Sequence, residues 1–353
     1  MARAAGILAV LALLPLTALD GPAAEPPVRL VTPLAYGTHL PGLGEPAHTL
    51  ARLIKERSGG ALLIELKQPG EAAKSHEILD QVASGAVDAG FANSGFWAAK
   101  LSAAPLFSGY PFGPGAEGYF AWFEQGNGRK LYQEMYDHAG IKVHVLPCAF
   151  GGGEAGGWFN KEIKTKADLK DLRMRIFGLG GRVMARTGAT TVLIPGGNVL
   201  AAFDKGEIDA AELYPPAVDA RLPLKDKIKL IYAPGWHQPE TVLELIVNQA
   251  RWEALSPQQR GLIEGACLAT LQATLAESAK LQAEALAGLA KEGVRIEPFP
   301  EEVLAALRAA WAEIAKEEGD RDYFFRTALD DIEKFGEKNQ GAAEPAGDLP
   351  ALQ

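Results

Sequence analysis

The chain has 353 residues, and its 44 acidic residues outnumber its 35 basic ones, which gives a formal net charge of −9. Its lysines and arginines form no basic cluster. The sequence therefore argues against a nucleic-acid-binding surface, which needs concentrated positive charge. A chain of this length exceeds what one small hydrophobic core normally fills, and we expect two lobes.

The first 24 residues predict a cleaved signal peptide. One cation, Arg3, precedes an apolar stretch at 4–19, and small residues follow around Ala23. A membrane anchor is the alternative, but it needs roughly 20 apolar residues, and Asp20 follows the stretch here. A lipid anchor would need a cysteine at the cleavage point, and no cysteine precedes Cys148. We therefore expect an exported protein that is free of the membrane.

Short runs of β-branched or alternating residues predict nine strands, with helical patterns between most of them. In the first such pattern, Leu50, Leu53 and Ile54 share one face of a helix. Strands that alternate with helices indicate an α/β fold with a mainly parallel sheet in each lobe. The predicted strands are 28–31, 62–66, 87–92, 141–146, 173–177, 208–213, 228–232, 242–247 and 294–296.

One long helix is predicted in the last third of the chain, over residues 256–293. Ser256 and Gln259 form a capping box, and Pro257 occupies the first helical position. At 1.5 Å per residue the helix would span roughly 50 Å, so it is either a coiled coil or a strut that crosses both lobes. Its apolar stripe is rich in alanine rather than leucine, which favours close packing on the protein body.

The remaining residues predict a second helical segment at 301–336, with an interruption at Gly319. Residues 337–353 are polar and contain glycine and proline, which is typical of a disordered tail.

Two cysteines, Cys148 and Cys267, are the only ones in the sequence. They can form one disulfide in an oxidising compartment, or they can pack as small apolar residues. The sequence leaves both possibilities open.

Patterns of the common enzyme classes are missing from the sequence. No two of the six histidines are three or four residues apart, so none can share a helix face as metal ligands. There is no Gly-x-Ser-x-Gly motif. The glycines at 178–181 do not make a dinucleotide site, because Val183 occupies the third glycine position. That turn still offers backbone N–H groups to a carboxylate. We predict that the protein is not an enzyme.

Three charged residues in the region 148–238 are candidates for binding a ligand. Arg173 and Arg175 alternate along one strand and point to the same face. Each is either a solvated charge or a fork that grips a carboxylate. Glu212 lies at the carboxyl end of a strand, an edge where α/β proteins bind ligands. It can pair with a lysine or hold a cation.

Several segments in this order and spacing resemble the substrate-binding subunit of tripartite ATP-independent periplasmic (TRAP) transporters, in the branch that binds 2-oxo acids. They include Gly-Gly-Trp-Phe-Asn at 156–160 and Pro-Gly-Trp-His at 234–237, and the resemblance covers nearly the whole chain after the signal peptide. The other matching segments are 81–88, 168–175 and 206–212.

The resemblance implies a two-lobe clamshell, joined at a hinge and crossed by the long helix. We assign residues 25–147 and about 215–255 to the first lobe, and 148–214 and about 294–300 to the second. The implied function is to capture a small carboxylate, a 2-oxo or hydroxy acid, in the periplasm and deliver it to the TRAP membrane permease. The implied receptor is a monomer or a homodimer. A sensor-input receptor and a periplasmic carboxylate lyase or hydrolase are the alternatives.

The resemblance also assigns roles to individual residues. Arg175, rather than Arg173, matches the arginine that pairs with the ligand carboxylate. Glu212 matches a metal-ligating acid, Glu154 lies at the second ligand position, and the Leu213 carbonyl is a third candidate. The implied cofactor is a bridging Ca²⁺ or Na⁺. The remaining candidate substrate-binding residues, most of which wall the site, are Phe96, Trp97, Asn198, Tyr214 and Trp236.

Three departures from the family pattern affect this site. Glu154 stands where glutamine is expected, and its added charge favours Ca²⁺, a hard cation that binds several oxygens. Leu213 replaces a tryptophan, whose wall Tyr214 can supply. Phe96 replaces a tyrosine and lacks its hydroxyl group.

Overall fold

The computed structural model describes residues 26–339. The predicted signal peptide and residues 340–353 of the predicted tail lie outside this range. Within it, no helix combines the length and apolar character needed to cross a membrane.

The described residues form a chain of alternating strands and helices. The strands are β1 (Val28–Pro33), β2 (Leu62–Lys67), β3 (Ala89–Ala92), β4 (Val143–Phe150), β5 (Gly157–Phe159), β6 (Arg173–Arg175), β7 (Thr190–Val192), β8 (Ala210–Ala211), β9 (Leu230–Tyr232), β10 (Val242–Asn248) and β11 (Arg295–Glu297). The helices are α1 (Glu45–Arg57), α2 (Ile78–Ala83), α3 (Ala116–Gln125), α4 (Gly128–His138), α5 (Gly178–Arg186), α6 (Val199–Asp204), α7 (Pro216–Asp219), α8 (Gln249–Ala254), α9 (Pro257–Lys291), α10 (Glu301–Arg321) and α11 (Tyr323–Lys338).

Each of the nine predicted strands is confirmed, with ends that differ by a few residues. Two strands were not predicted, β5 and β7. β5 follows a run of glycines, and β7 is only partly buried at the edge of its sheet, so neither has the apolar pattern of a core strand.

The strands form two parallel or mixed groups and one antiparallel group. β1 pairs with β2 in parallel, whereas β10 lies between β3 and β4 and is antiparallel to both. The third sheet is mixed and has the order β11-β9-β5-β8-β6-β7.

The expectation of mainly parallel sheets is therefore wrong in part. Val242 of β10 lies opposite Phe150 of β4. β4 runs toward the connection between the lobes and β10 runs away from it, so the two neighbours point in opposite directions. The same holds for β5 and β9 in the mixed sheet, where Gly157 lies opposite Tyr232.

The pairing of β9 bears on the lobe boundaries. β9 comes from the segment 215–255, assigned above to the first lobe, but it pairs with β5 and β11 in the mixed sheet. We propose that the chain returns to the first lobe after Tyr232, with β10.

The long helix α9 crosses both lobes. Its capping box is present, because the Ser256 hydroxyl accepts from the Gln259 amide at 3.2 Å and the Gln259 side chain accepts from the Ser256 amide at 2.9 Å. Its early residues, such as Ile263 and Ala266, are buried in the core with β1, β2 and α1. Leu286, farther along the helix, is buried with Trp158 of β5 and Ile231 of β9 in a separate cluster, the second-lobe core. At 35 residues the helix extends for about 50 Å.

The predicted interruption at Gly319 is wrong. Gly319 is buried inside α10, where it lies close to Arg326, and the break between α10 and α11 comes at Asp322. The Asp322 carboxylate accepts from the Phe324 amide at 2.8 Å and so caps α11. α11 continues to Lys338, past the predicted start of the tail at residue 337.

Cys148 and Cys267 form a disulfide that joins β4 to α9. The structure thus decides between the two possibilities that the sequence left open. Both residues are fully buried in the first-lobe core.

Candidate ligand-binding site

Glu154, Glu212 and His237 form a buried cluster between the ends of several strands. One potential ligand atom from each lies within 4.8 Å of the others. Glu154 follows β4, Glu212 follows β8 and His237 follows β9, so the three arrive from separate parts of the chain. A metal ion bound here would have two carboxylates and one imidazole within reach.

Backbone hydrogen bonds hold the two chain segments that carry Glu154 and His237. The Glu154 amide donates to the Gln238 carbonyl at 3.0 Å, and the Gly235 amide donates to the Glu154 carbonyl at 2.8 Å. A Cβ atom at Gly235 would lie 2.4 Å from the Glu154 carbonyl oxygen. Only glycine permits the backbone at residue 235 to approach Glu154 so closely, which explains the glycine in the Pro-Gly-Trp-His segment at 234–237.

The Glu154 carboxylate has two side-chain partners. His237 Nε2 lies 3.0 Å from Glu154 Oε2, and the Gln238 side-chain amide donates to Glu154 Oε1 at 2.9 Å. These contacts fix the orientation of the carboxylate inside the cluster.

Arg175 and Arg173 have different surroundings. Arg175 Nη1 lies 2.9 Å from Glu212 Oε2, and Arg175 Nε donates to the Ile194 carbonyl at 3.1 Å. Arg173 instead makes a bidentate pair with Asp209, at 3.0 and 2.8 Å. The side chain of Arg175 is 12% exposed and that of Arg173 is 43% exposed. Arg175 therefore belongs to the cluster and Arg173 to the protein surface.

Burial controls the charge of the cluster. It raises the pKa of Glu154 to about 8, although the nearby Arg175 charge opposes this shift. Burial, together with the charge of Glu154, raises the pKa of Glu212 to about 7, again against Arg175. Burial lowers the pKa of His237, which favours the neutral imidazole. A cation held by these groups would relieve the repulsion between the two carboxylates.

The predicted aromatic and polar residues lie at different depths. Phe96 and Tyr214 are partly buried, and the Phe96 ring lies 5.8 Å from that of Tyr36. Trp236 is buried and stacks on Phe112 at 5.7 Å. Asn198 is exposed on a short turn before α6.

Two further predicted residues lie in hydrophobic cores. Trp97 is 2% exposed, and its indole N–H donates to Glu244 at 2.8 Å. The Leu213 side chain packs in the second-lobe core.

Residues 42–322 match the sequence profile of the bacterial extracellular solute-binding proteins, family 7 (DctP). The chain belongs to this family. The predicted resemblance to TRAP solute-binding subunits and the predicted two-lobe fold are both confirmed.

Named relatives of this solute-binding protein bind small carboxylates. It is 33% identical over 289 residues to the monocarboxylate 2-oxoacid-binding periplasmic protein of Nostoc sp. (strain PCC 7120), covering 82% of this chain and 79% of the relative. It is 30% identical, with a TM-score of 0.83, to a TRAP solute-binding protein of Bordetella bronchiseptica RB50 solved as a dimer with copurified calcium and picolinate, covering 90% and 94% of the two chains. A third relative, from Pseudoalteromonas atlantica T6c, contains sodium and pyruvate, with 30% identity, a TM-score of 0.82 and coverage of 89% and 95%.

Sequence reasoning missed two members of the site in this solute-binding protein. His237 was noted only as part of the 234–237 motif, because a lone histidine carries no ligand spacing. Tyr36 is partly buried, and its burial together with the charges of Glu154 and Glu212 raises its pKa far above the usual range. No spacing signal links Tyr36 to residues more than a hundred positions away.

Proposed function

We propose that this solute-binding protein captures a small monocarboxylate of the 2-oxo acid class, together with a bridging cation, and delivers it to a TRAP membrane permease. The observation that carries the proposal is the position of Arg175 beside the buried pair Glu154 and Glu212. A guanidinium binds a carboxylate through two parallel hydrogen bonds, and the glutamates offer oxygens to a cation.

Charge balance favours a divalent cation at this site. Two glutamates, one arginine and a bound monocarboxylate together leave two negative charges, which Ca²⁺ neutralises and Na⁺ does not. Burial makes an uncompensated charge unfavourable, and both glutamates are less than one-tenth exposed. We therefore propose Ca²⁺ as the better of the two cations, with the Leu213 carbonyl as a further oxygen ligand.

The other proposed contacts come from the walls. Phe96, Tyr214 and Trp236 would enclose the apolar part of the ligand, and Asn198 would contact it from the turn before α6. Trp97 would support Phe96, since their ring centroids are 6.0 Å apart. None of these residues is a general acid or base in this proposal, and the bound carboxylate is released unchanged.

Calorimetry of the protein after chelation and exhaustive dialysis tests the function. Pyruvate should bind weakly to the metal-free protein, and Ca²⁺ should restore affinity better than Na⁺. Formate, which lacks the 2-oxo group, should bind less tightly under the same conditions. If the affinity for pyruvate is the same with and without the chelator and the added ions, the proposed role of the cation is wrong. If the protein binds no 2-oxo acid, the proposed function is wrong.

Three further parts of the proposal concern the cell. We propose that residues 1–24 direct export to the periplasm and are removed there. We also propose that the protein performs no catalysis, which nuclear magnetic resonance of a bound carboxylate tests, because the ligand should be recovered unchanged. The receptor would work as a monomer or a homodimer, which analytical ultracentrifugation distinguishes.

A further inference from the structure

We propose that His237 is a direct ligand of the bound cation, and that the site of this protein prefers a divalent first-row transition ion, such as Mn²⁺ or Zn²⁺, to Ca²⁺. The inference rests on the proposed function in one respect, namely that a cation occupies the site. It goes beyond that function by adding a nitrogen ligand and changing the class of metal.

The positions of the three side chains carry the first step. Ligand atoms bound at about 2.1 Å to one ion lie at most about 4 Å apart. His237 Nε2 is already 3.0 Å from Glu154 Oε2, and the whole trio falls within 4.8 Å. Small side-chain rotations therefore bring Glu154, Glu212 and His237 to coordination distance.

The hydrogen bonding of His237 carries the second step. The residue is 6% exposed, and among the described residues its Nδ1 atom has no hydrogen-bond partner. Its only side-chain contact of this kind is with a carboxylate of the cluster. Because Nε2 is the ring atom that faces the cluster, a cation bound there would take the place of its hydrogen bond with Glu154.

The chemistry of the ligands carries the third step. Na⁺ and Ca²⁺ are hard ions that favour oxygen, whereas neutral imidazole suits zinc, iron and nickel, and carboxylates suit manganese. Two carboxylates and one imidazole form a ligand set that resembles catalytic zinc sites more than calcium loops. A nitrogen ligand therefore shifts the preference of the site away from Ca²⁺.

The alternative is that His237 only orients Glu154 through a hydrogen bond. Such outer-shell partners also affect metal affinity, by about 10- to 100-fold. A drop in affinity alone does not separate the two roles. The difference between metals, and a direct signal from the nitrogen, do.

Metal titrations of the chelated and dialysed protein provide the first measurement. Wild-type protein should bind Zn²⁺ at least about tenfold more tightly than Ca²⁺. His237→Gln replaces the nitrogen by an oxygen, so Zn²⁺ affinity should fall by more than about 100-fold while Ca²⁺ affinity is retained. His76→Gln, at a residue that is 68% exposed, is the matched control and should change neither. Equal losses for Zn²⁺ and Ca²⁺ in His237→Gln would overturn the direct ligand.

Pulsed electron paramagnetic resonance of the Mn²⁺-loaded wild-type protein provides the second, and it does not depend on the variant folding. Imidazole nitrogen modulation of the Mn²⁺ echo is expected, and its absence would leave His237 as an orienting residue and overturn the proposal. If the protein binds pyruvate with Ca²⁺ but neither Mn²⁺ nor Zn²⁺, this inference fails and the proposed function stands. If the nitrogen signal is present but no carboxylate binds, the inference stands and the proposed function fails.

Discussion

Arg175 is enclosed by Glu212 and the Ile194 carbonyl, whereas Arg173, on the same face of β6, is held at the surface by Asp209. Arg175→Ala should remove carboxylate binding, because loss of one partner of a buried charge pair costs about 2–5 kcal/mol. Arg173→Ala is the matched control and should leave most of the affinity. Isothermal titration with pyruvate and Ca²⁺ measures both, and equal losses would contradict the assignment.

Glu244 lies in the first-lobe core, where it accepts hydrogen bonds from Trp97 at 2.8 Å and from Tyr136 at 3.0 Å. Burial raises its pKa to about 7, although the hydrogen bonds from Trp97 and Tyr136 oppose the shift. The folded protein therefore holds this proton at pH values where the unfolded chain has lost it. The contribution of Glu244 to stability is complete below pH 4.5 and is lost as the pH rises through 7.

Glu244→Gln removes this titration and should flatten the pH dependence. Relative to the variant, the wild-type protein should lose about 3 kcal/mol of unfolding free energy between pH 4 and pH 8. Chemical denaturation at a series of pH values measures the difference between the two proteins. A difference that does not vary with pH would mean that Glu244 keeps its charge when buried.

At the residue level, the sequence identifies the charged groups of the site but does not predict that they form one cluster with His237. The strand pattern makes Arg175 and Glu212 candidates, whereas the choice of Arg175 over Arg173 and the role of Glu154 come from the family resemblance, which carries spatial information that a single chain does not contain. His237 was missed because its partners are set by the packing of β5, β8 and β9 rather than by local spacing.

Gln282 connects the long helix to both lobes. Its side-chain amide donates to the Gly151 carbonyl at 3.1 Å, and its side-chain oxygen accepts from the Ala217 amide at 2.8 Å. Gly151 follows β4 and Ala217 belongs to α7, so one buried side chain fastens the connection between the lobes to the helix that follows Glu212.

Gln282→Met should destabilise the protein by about 1–3 kcal/mol, because it leaves two buried backbone groups without partners. Gln272→Met, at an exposed position of the same helix, is the control and should have little effect. Guanidinium denaturation followed by circular dichroism compares the two variants. Equal midpoints would show that water or other groups replace the Gln282 contacts.

At the level of elements, local patterns identified most strands and the long helix. The capping box at Ser256 is a local signal and was read correctly. The direction of β10 was not, because it depends on a chain that leaves the first lobe after β4 and returns much later. The break at Asp322 was also misplaced, since Gly319 is tolerated inside α10 where Arg326 packs against it.

Because the site is buried, the lobes must open to admit a ligand and close again around it. Glu154 and Glu212 are almost inaccessible in this structure, so a ligand reaches them only if the lobes separate. Small-angle scattering should show a smaller radius of gyration with pyruvate and Ca²⁺ than in the metal-free, ligand-free protein. Identical curves, recorded where calorimetry confirms binding, would contradict a hinge mechanism even if the site residues are correct.

The disulfide closes a loop with a sequence separation of 119. Its removal in a Cys148→Ala, Cys267→Ala double variant should lower stability by about 4 kcal/mol, because the unfolded chain gains freedom. Ligand binding should be retained at low temperature, since both cysteines lie in the first-lobe core and outside the cluster. Thermal unfolding with and without reductant measures the effect. An unfolding midpoint of the wild-type protein that is the same in both conditions would contradict the prediction.

α11 packs against α3 and α4, which precede it in the chain by the whole second lobe and by α9 and α10. Because a polypeptide is synthesised from its N-terminus, α3 and α4 are made long before α11. Their apolar side chains stay uncovered until Phe325 and Ala328 of α11 pack into the same core. The mixed sheet draws its strands from a shorter stretch and can assemble earlier. The first lobe is therefore the last to be completed, and during that delay its uncovered helices are the surface on which newly made chains would aggregate or be held by a chaperone.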